Sequence, residues 1–267
     1  MSHWSRRLIT VLLCLPLVVA AGCLDMETGV AFNKDLTGKA TFKMAMDLGP
    51  FLTQMIQTMG ARGGEPPPAE MMPMLKAEMA KQLGGGMVDV DQMKAKLPAG
   101  VKLVDSSQKI DELKVTMAFT FGFTDFTKLA LIEVPMISRA QAIPGAASDP
   151  LKPFDFVITN DGSTISITTK ASEKEAEKPT ADTEKAKAEA MAAVKEAKSQ
   201  MDQLGMSELL KGASVHMMMR FDIPHTIIEQ NATRKEGQSY IWEVKLDSFE
   251  SLDKMPEPPV VKLKFKK

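Results

Sequence analysis

Between residues 113 and 124 the chain alternates without a break: Leu113, Val115, Met117, Phe119, Phe121 and Phe123 against Lys114, Thr116, Ala118, Thr120, Gly122 and Thr124. Successive side chains of a strand point to opposite faces, so this stretch reads as a strand with one buried face. A strand cannot stand alone. Its backbone needs neighbours to bond to, and its apolar face needs a layer to cover it.

The same period returns along the chain. Ala40, Phe42, Met44, Met46 and Leu48 alternate with Thr41, Lys43, Ala45 and Asp47, and Gly29 to Phe32 can pair with them across a turn at Asn33 to Gly38. Val101 and Leu103 offer a partner to the 113–123 strand. Phe154, Phe156 and Ile158 face Ile165, Ile167 and Thr169 across Asn160-Asp161-Gly162, residue types that tolerate the positive φ of a tight turn. Val215, Met217, Met219, Phe221 and Ile223 are expected to pair with Tyr240, Trp242, Val244 and Leu246. Finally Val261, Leu263 and Phe265 alternate with Lys262, Lys264 and Lys266, whose charged face suits an edge strand.

Between these hairpins the period becomes helical. Phe51, Met55, Ile56 and Met59 share a face, as do Met72, Leu75, Met79 and Leu83 before Gly84 to Gly86. Asp89 can cap a short helix that ends before Pro98, and Asp125 another that starts at Phe126. The stretch from Ala181 to Leu204 has a narrow seam of Ala190, Val194, Ala197, Met201 and Leu204, and reads as a solvated helix laid over the sheet. The expected fold class is therefore α+β, an antiparallel sheet of successive hairpins with helices inserted between them and packed on one face. Residues 23–267 are expected to form one domain, with a subdomain split near 140–153, where Pro144, Gly145, Pro150 and Pro153 cluster, as the alternative.

The first residues carry an address. Arg6 and Arg7 precede an uncharged run of about a dozen residues, Leu8 to Val19, too short to span a bilayer as a mature helix. It ends in Ala20-Ala21-Gly22-Cys23, where small residues fit a narrow cleavage subsite and the thiol at the cut can be alkylated. This resembles a bacterial lipobox, with residues 1–22 as signal peptide and Cys23 as the lipid attachment site. Several acyl chains, at ~0.8 kcal/mol per buried CH₂, make such an anchor effectively permanent. Leu24 follows Cys23, and Asp25 falls one place too late for inner-membrane retention, so an outer-membrane destination is expected in the cell envelope. Cys14 lies inside the signal, so thiol catalysis, disulfides and Cys-based zinc sites are not expected of the mature chain.

Composition narrows the partners. Lys plus Arg number 33 against 34 Asp plus Glu, a balance with no field to hold a phosphate backbone, so nucleic acid is not an expected partner. Three His, two Trp and one Tyr leave little for catalysis or sugar stacking, and the 21 Met read as pliable apolar filler or as the lining of an acyl-accepting groove. His216-Met217-Met218-Met219 has the soft sulfur that suits Cu(I), yet alternation sends Met217 and Met219 to the face away from His216. No metal or other cofactor is expected. No Gly-x-Ser-x-Gly elbow, Walker loop, dinucleotide-binding glycine turn or His-Glu-x-x-His pair occurs.

Ile223-Pro224, Asn231-Ala232, Gly237 and Trp242 together are similar to the closing motif of LppM-like bacterial lipoproteins, as are the early Thr37-Gly38-Lys39 hairpin and the Gly100-Val101 strand feeding Leu113 to Asp125. The resemblance implies a mixed α/β envelope domain without established catalytic residues, for which lipid association is the expected property. Pro224 and Gly237 would shape a long hairpin connection, with Trp242 as its buried anchor. The expectation is thus a non-enzymatic, membrane-tethered binding or assembly module, with a lipid or an envelope protein as partner. The alternative is an envelope hydrolase that uses carboxylates.

Overall fold

A computed structural model of the chain describes residues 23–47, 88–111, 113–135, 151–169, 214–246 and 259–267, together with 49, 73, 74 and 77. Among these residues eleven strands run in chain order: β1 (Cys23–Phe32), β2 (Gly38–Asp47), β3 (Val101–Asp111), β4 (Lys114–Phe123), β5 (Phe156–Asn160), β6 (Thr164–Thr169), β7 (Ser214–Asp222), β8 (Ile227–Gln230), β9 (Arg234–Glu236), β10 (Ser239–Leu246) and β11 (Lys262–Lys266). They form a seven-stranded sheet of order β3-β4-β2-β1-β7-β10-β9 and a four-stranded sheet of order β5-β6-β11-β8.

The expected hairpins are present. β1 and β2 pair from Cys23↔Asp47 to Phe32↔Gly38, and β2 continues onto β4 with Phe42↔Phe119 and Ala40↔Phe121. β5 and β6 meet across a turn in which Gly162 has φ +93°, a backbone that side-chain-bearing residues rarely adopt. Asp161 Oδ1 closes that turn by accepting from the backbone N–H groups of Ser163 and Thr164, and these bonds with the Thr164 hydroxyl lower the Asp161 pKa to about 2. β7 and β10 pair with Met219 opposite Trp242.

The fold class differs from the α+β expectation. Among the described residues 61% are in strands and bridges and 12% are helical. The helices described in full are α1 (Val90–Ala95), capped by the Asp89 carboxylate accepting from Gln92 N–H, and a 3-10 turn (Phe126–Leu131), capped by Asp125 accepting from Thr127 N–H; Gly49, Pro73, Met74 and Ala77 are helical as well. The helices expected at Phe51–Met59, at Met72–Leu83 and along Ala181–Leu204 lie almost wholly outside the described residues, as does most of the linker near 140–153. What covers the apolar face of the large sheet is the second sheet. Ring contacts cross the gap: Phe121 to Phe154 at 5.9 Å, Phe156 to Phe221 at 5.2 Å and Phe32 to Phe265 at 5.8 Å between centroids. Thr28, buried on β1, donates its hydroxyl to Pro153 O at 3.3 Å in the same interface. Two apolar sheet faces satisfy each other, which is the physical reason that the described core needs no helix layer.

Two further features depart from a ladder of antiparallel hairpins. β1 pairs with β7 in parallel, Cys23↔Ser214 through Ala31↔Asp222, so the chain returns to the middle of the sheet from far along the sequence. β11 is not an edge strand. It lies between β6 and β8, with Leu263 and Phe265 buried and Lys262, Lys264 and Lys266 on the opposite face. Its lysines record an outward face, which edge and centre strands share.

Burial follows the alternation. Met117 is 1% exposed among Phe42, Phe119 and Phe121, whereas Met218 is half-buried on the outer face. Met117→Ala is expected to cost about 2–5 kcal/mol in urea unfolding, the cavity left behind included, and Met218→Ala about 1 kcal/mol or less. Equal losses in the two variants would contradict the assignment of faces.

Candidate functional site

Because β5, β6, β8 and β11 cover one face of the seven-stranded sheet, its other face and its two strand ends are where chemistry can be presented. The first strand end belongs to Cys23. It opens β1 directly, exposed and unbonded to any other sulfur, and pairs with Asp47 on one side and Ser214 on the other. No tether separates this residue from the sheet, since the backbone is hydrogen-bonded into the ladder from Cys23 onward.

Two residues along, the outer face carries a row of charge. His216 on β7 lies between two carboxylates, with Nδ1 3.1 Å from Asp25 Oδ1 on β1 and Nε2 2.8 Å from Glu243 Oε1 on β10. Glu243 also accepts from Lys245 Nζ at 3.0 Å and faces Arg234 at 3.5 Å. The Lys245 ammonium and the His216 ring hold the Glu243 carboxyl below its ordinary pKa against the opposing cost of burial. A carboxylate engaged by three cationic or ring partners in this way is suited to fixing neighbouring strands. Farther along β7, Arg220 donates to Asp222 at 2.9 Å and to Ser239 at 2.8 Å, and Ser239 donates to Asp222.

His216 thus lies on the polar side of β7, with the Asp25 and Glu243 carboxylates as partners. Met219 packs on the inner side against the core. His225 is remote from His216, tilted against the Phe265 ring at 5.6 Å, with Nε2 3.4 Å from Asn33 O.

Asn231 and Trp242, singled out in the sequence, come together. Trp242 is 2% exposed and its Nε1–H donates to Asn231 Oδ1 at 2.7 Å. The same oxygen accepts from Lys262 N–H at 2.7 Å, while Asn231 Nδ2 donates to Val260 O at 2.9 Å. Asn231 thus ties the end of β8 to β11 and to the indole of β10, a role for shape. Gly237, with φ +61°, turns the chain from β9 to β10.

At the opposite end of the outer face is a groove of about 720 Å³. Its floor is Gly122 on β4, which pairs with Lys39 of β2 on one side and Lys102 of β3 on the other. A register shift between Leu103 and Asp105 leaves Val104 unpaired and 50% exposed, leaning over the same floor. A Cβ on residue 122 would meet Val104 Cγ2 at 3.2 Å and Lys102 Cε at 3.3 Å. Sequence periodicity missed this feature, because only the pairing register brings Lys39, Gly122 and Lys102 into one row. The available signal was a glycine on the polar side of the strongest strand.

Comparison with protein-family models and with curated proteins gives no match. Among solved structures the chain is similar to the folded domain of the Mycobacterium tuberculosis LppM protein, determined by NMR, with a TM-score of 0.36 and 10% identity over 92% of this chain and 91% of that one.

The charge row yields a pH dependence. Glu243 has a lowered pKa in the folded state, so its stabilising contribution is present above the ordinary glutamate value of 4.5 and is lost as pH falls through the folded value. Glu243→Gln is expected to lower the thermal midpoint at pH 7 and to flatten the fall in stability below about pH 4.5. Unchanged acid sensitivity in thermal scans of the variant would show that the row does not contribute.

Proposed function

We propose that this chain is a bacterial envelope lipoprotein, held to its membrane through acylated Cys23 and acting as a non-catalytic binding or assembly module. The observation that carries this reading is the N-terminal sequence itself: Arg6 and Arg7, the short uncharged run, then Ala20-Ala21-Gly22-Cys23. An exposed Cys23 at the very start of β1 is compatible with processing, since an enzyme that alkylates the thiol and cuts before it meets no covering side chain. Among the described residues no helix is long and apolar enough to cross a membrane. Acyl chains on Cys23 would supply the attachment. The residue after the cysteine is Leu24, which favours the outer membrane as destination.

The surface that the described residues leave uncovered supports the binding role. The inner face of the large sheet is consumed by the second sheet, and the outer face keeps a groove and a charged row. Where His216 brings Asp25 and Glu243 together, both carboxylates are already engaged by cations or by the ring, which favours a structural use of these acids over hydrolysis.

Mass spectrometry of the N-terminal peptide from protein extracted with the membrane fraction is expected to find Cys23 first, carrying acyl chains. Cys23→Ser is expected to leave a longer, unacylated precursor. Wild-type protein recovered in the soluble fraction with an unmodified Cys23 would overturn the reading.

A further inference from the structure

The groove over Gly122 has the makings of a ligand site. Strands in a sheet are about 4.8 Å apart, so Lys39 and Lys102, on either side of β4, have α-carbons roughly 10 Å apart. The Lys102 stem lies across Gly122, toward the strand that carries Lys39, with its Cγ 3.5 Å from where a Cβ would stand. Any side chain larger than hydrogen on residue 122 would displace that stem. Both lysines are exposed, and among the described residues no carboxylate forms an ion pair with either. The Lys102 stem over Gly122 and the exposed Lys39 that lines the same groove put two cationic side chains beside one small-residue floor, where an anion between them offsets their repulsion.

We propose that this groove binds a phosphate group, clasped between the Lys39 and Lys102 ammonium groups over Gly122, with Val104 as an apolar wall. Phosphate fits because its two negative charges match two compact cations, and lysine contacts phosphate as a point charge without needing a planar partner. The position also selects the source. The groove is lined at one end by Ala31, next to the last residue of β1, whereas Cys23 is the first. A strand of 10 residues reaches about 30 Å at ~3.3 Å per residue, so a groove there stands well away from the residue proposed to be acylated. The phosphate is therefore one presented from solution or on a soluble envelope polymer, not a headgroup of the anchoring bilayer. This choice of source rests on the anchor reading, and the site itself does not.

The test is isothermal titration of the full chain in neutral detergent with sodium pyrophosphate, beside sedimentation with vesicles of phosphatidylglycerol in phosphatidylcholine. Wild-type protein is expected to bind pyrophosphate saturably, with affinity that falls as salt rises. Lys39→Gln/Lys102→Gln is expected to weaken binding at least tenfold while keeping the wild-type thermal midpoint, and Lys266→Gln, on the second sheet, is expected to leave it unchanged. Absence of lysine-dependent binding to both pyrophosphate and vesicles, or pyrophosphate binding that is equal in the double variant, overturns the site. Lysine-dependent binding to vesicles without binding to pyrophosphate overturns the assigned source. Failure of acylation at Cys23 would leave the pyrophosphate titration as it is, so the two readings fail separately.

Discussion

The contact of aromatic rings between the two sheets is the interaction on which the rest of the molecule depends. Phe121, Phe154, Phe156, Phe221 and Trp242 run in sequence through the interface, each ring within 6.4 Å of the next, and Phe32 joins Phe123, Phe126 and Phe265 at the end of β1. Such pairs contribute ~0.5–1.5 kcal/mol each beyond the area they bury. Their positions come from β1, β4, β5, β7, β10 and β11, from the 3-10 turn and from the segment leading into β5. No single hairpin can form this core, and its closure commits both sheets at once. It also decides which face of the large sheet is left to water, hence where Lys39, Lys102 and His216 can act.

Strands were legible in the sequence because period-2 alternation is a local property. β4 and the β1–β2, β5–β6 and β7–β10 pairs could all be read from their apolar stripes, and the caps at Asp89 and Asp125 from single side chains. What alternation does not encode is which layer meets an apolar face. Phe119 and Phe121 need a cover, and a helix or a second sheet serves equally well by hydrophobicity alone. The α+β expectation chose helices, and the described core uses Phe154, Phe156, Leu263 and Phe265 in their place. Lys262, Lys264 and Lys266 misled for a related reason, since an outward charged face is common to edge and interior strands of a sheet exposed on one side. The parallel return of β7 onto β1 has no local signal at all.

The candidate site divides along the same line. Cys23 is legible because processing reads linear sequence, and the opposed faces of His216 and Met217 follow from alternation. That Asn231 meets the Trp242 indole was indicated by neither periodicity nor spacing, although both residues stood out. The row Lys39, Gly122, Lys102 becomes visible only with the β2–β4–β3 register, where a one-residue slip would turn both lysines inward. Local chemistry is thus readable early, and chemistry assembled across strands awaits the pairing.

The central claim is that the second sheet, and not a helical layer, closes the core of the first. It is tested most directly by aromatic nuclear Overhauser spectroscopy on protein with phenylalanine rings labelled. Centroid separations of 5.2 Å for Phe156 and Phe221 and 5.9 Å for Phe121 and Phe154 require cross-peaks between those rings. Their absence, with Phe121 and Phe221 giving cross-peaks instead to side chains of residues 181–204, would contradict the two-sheet account.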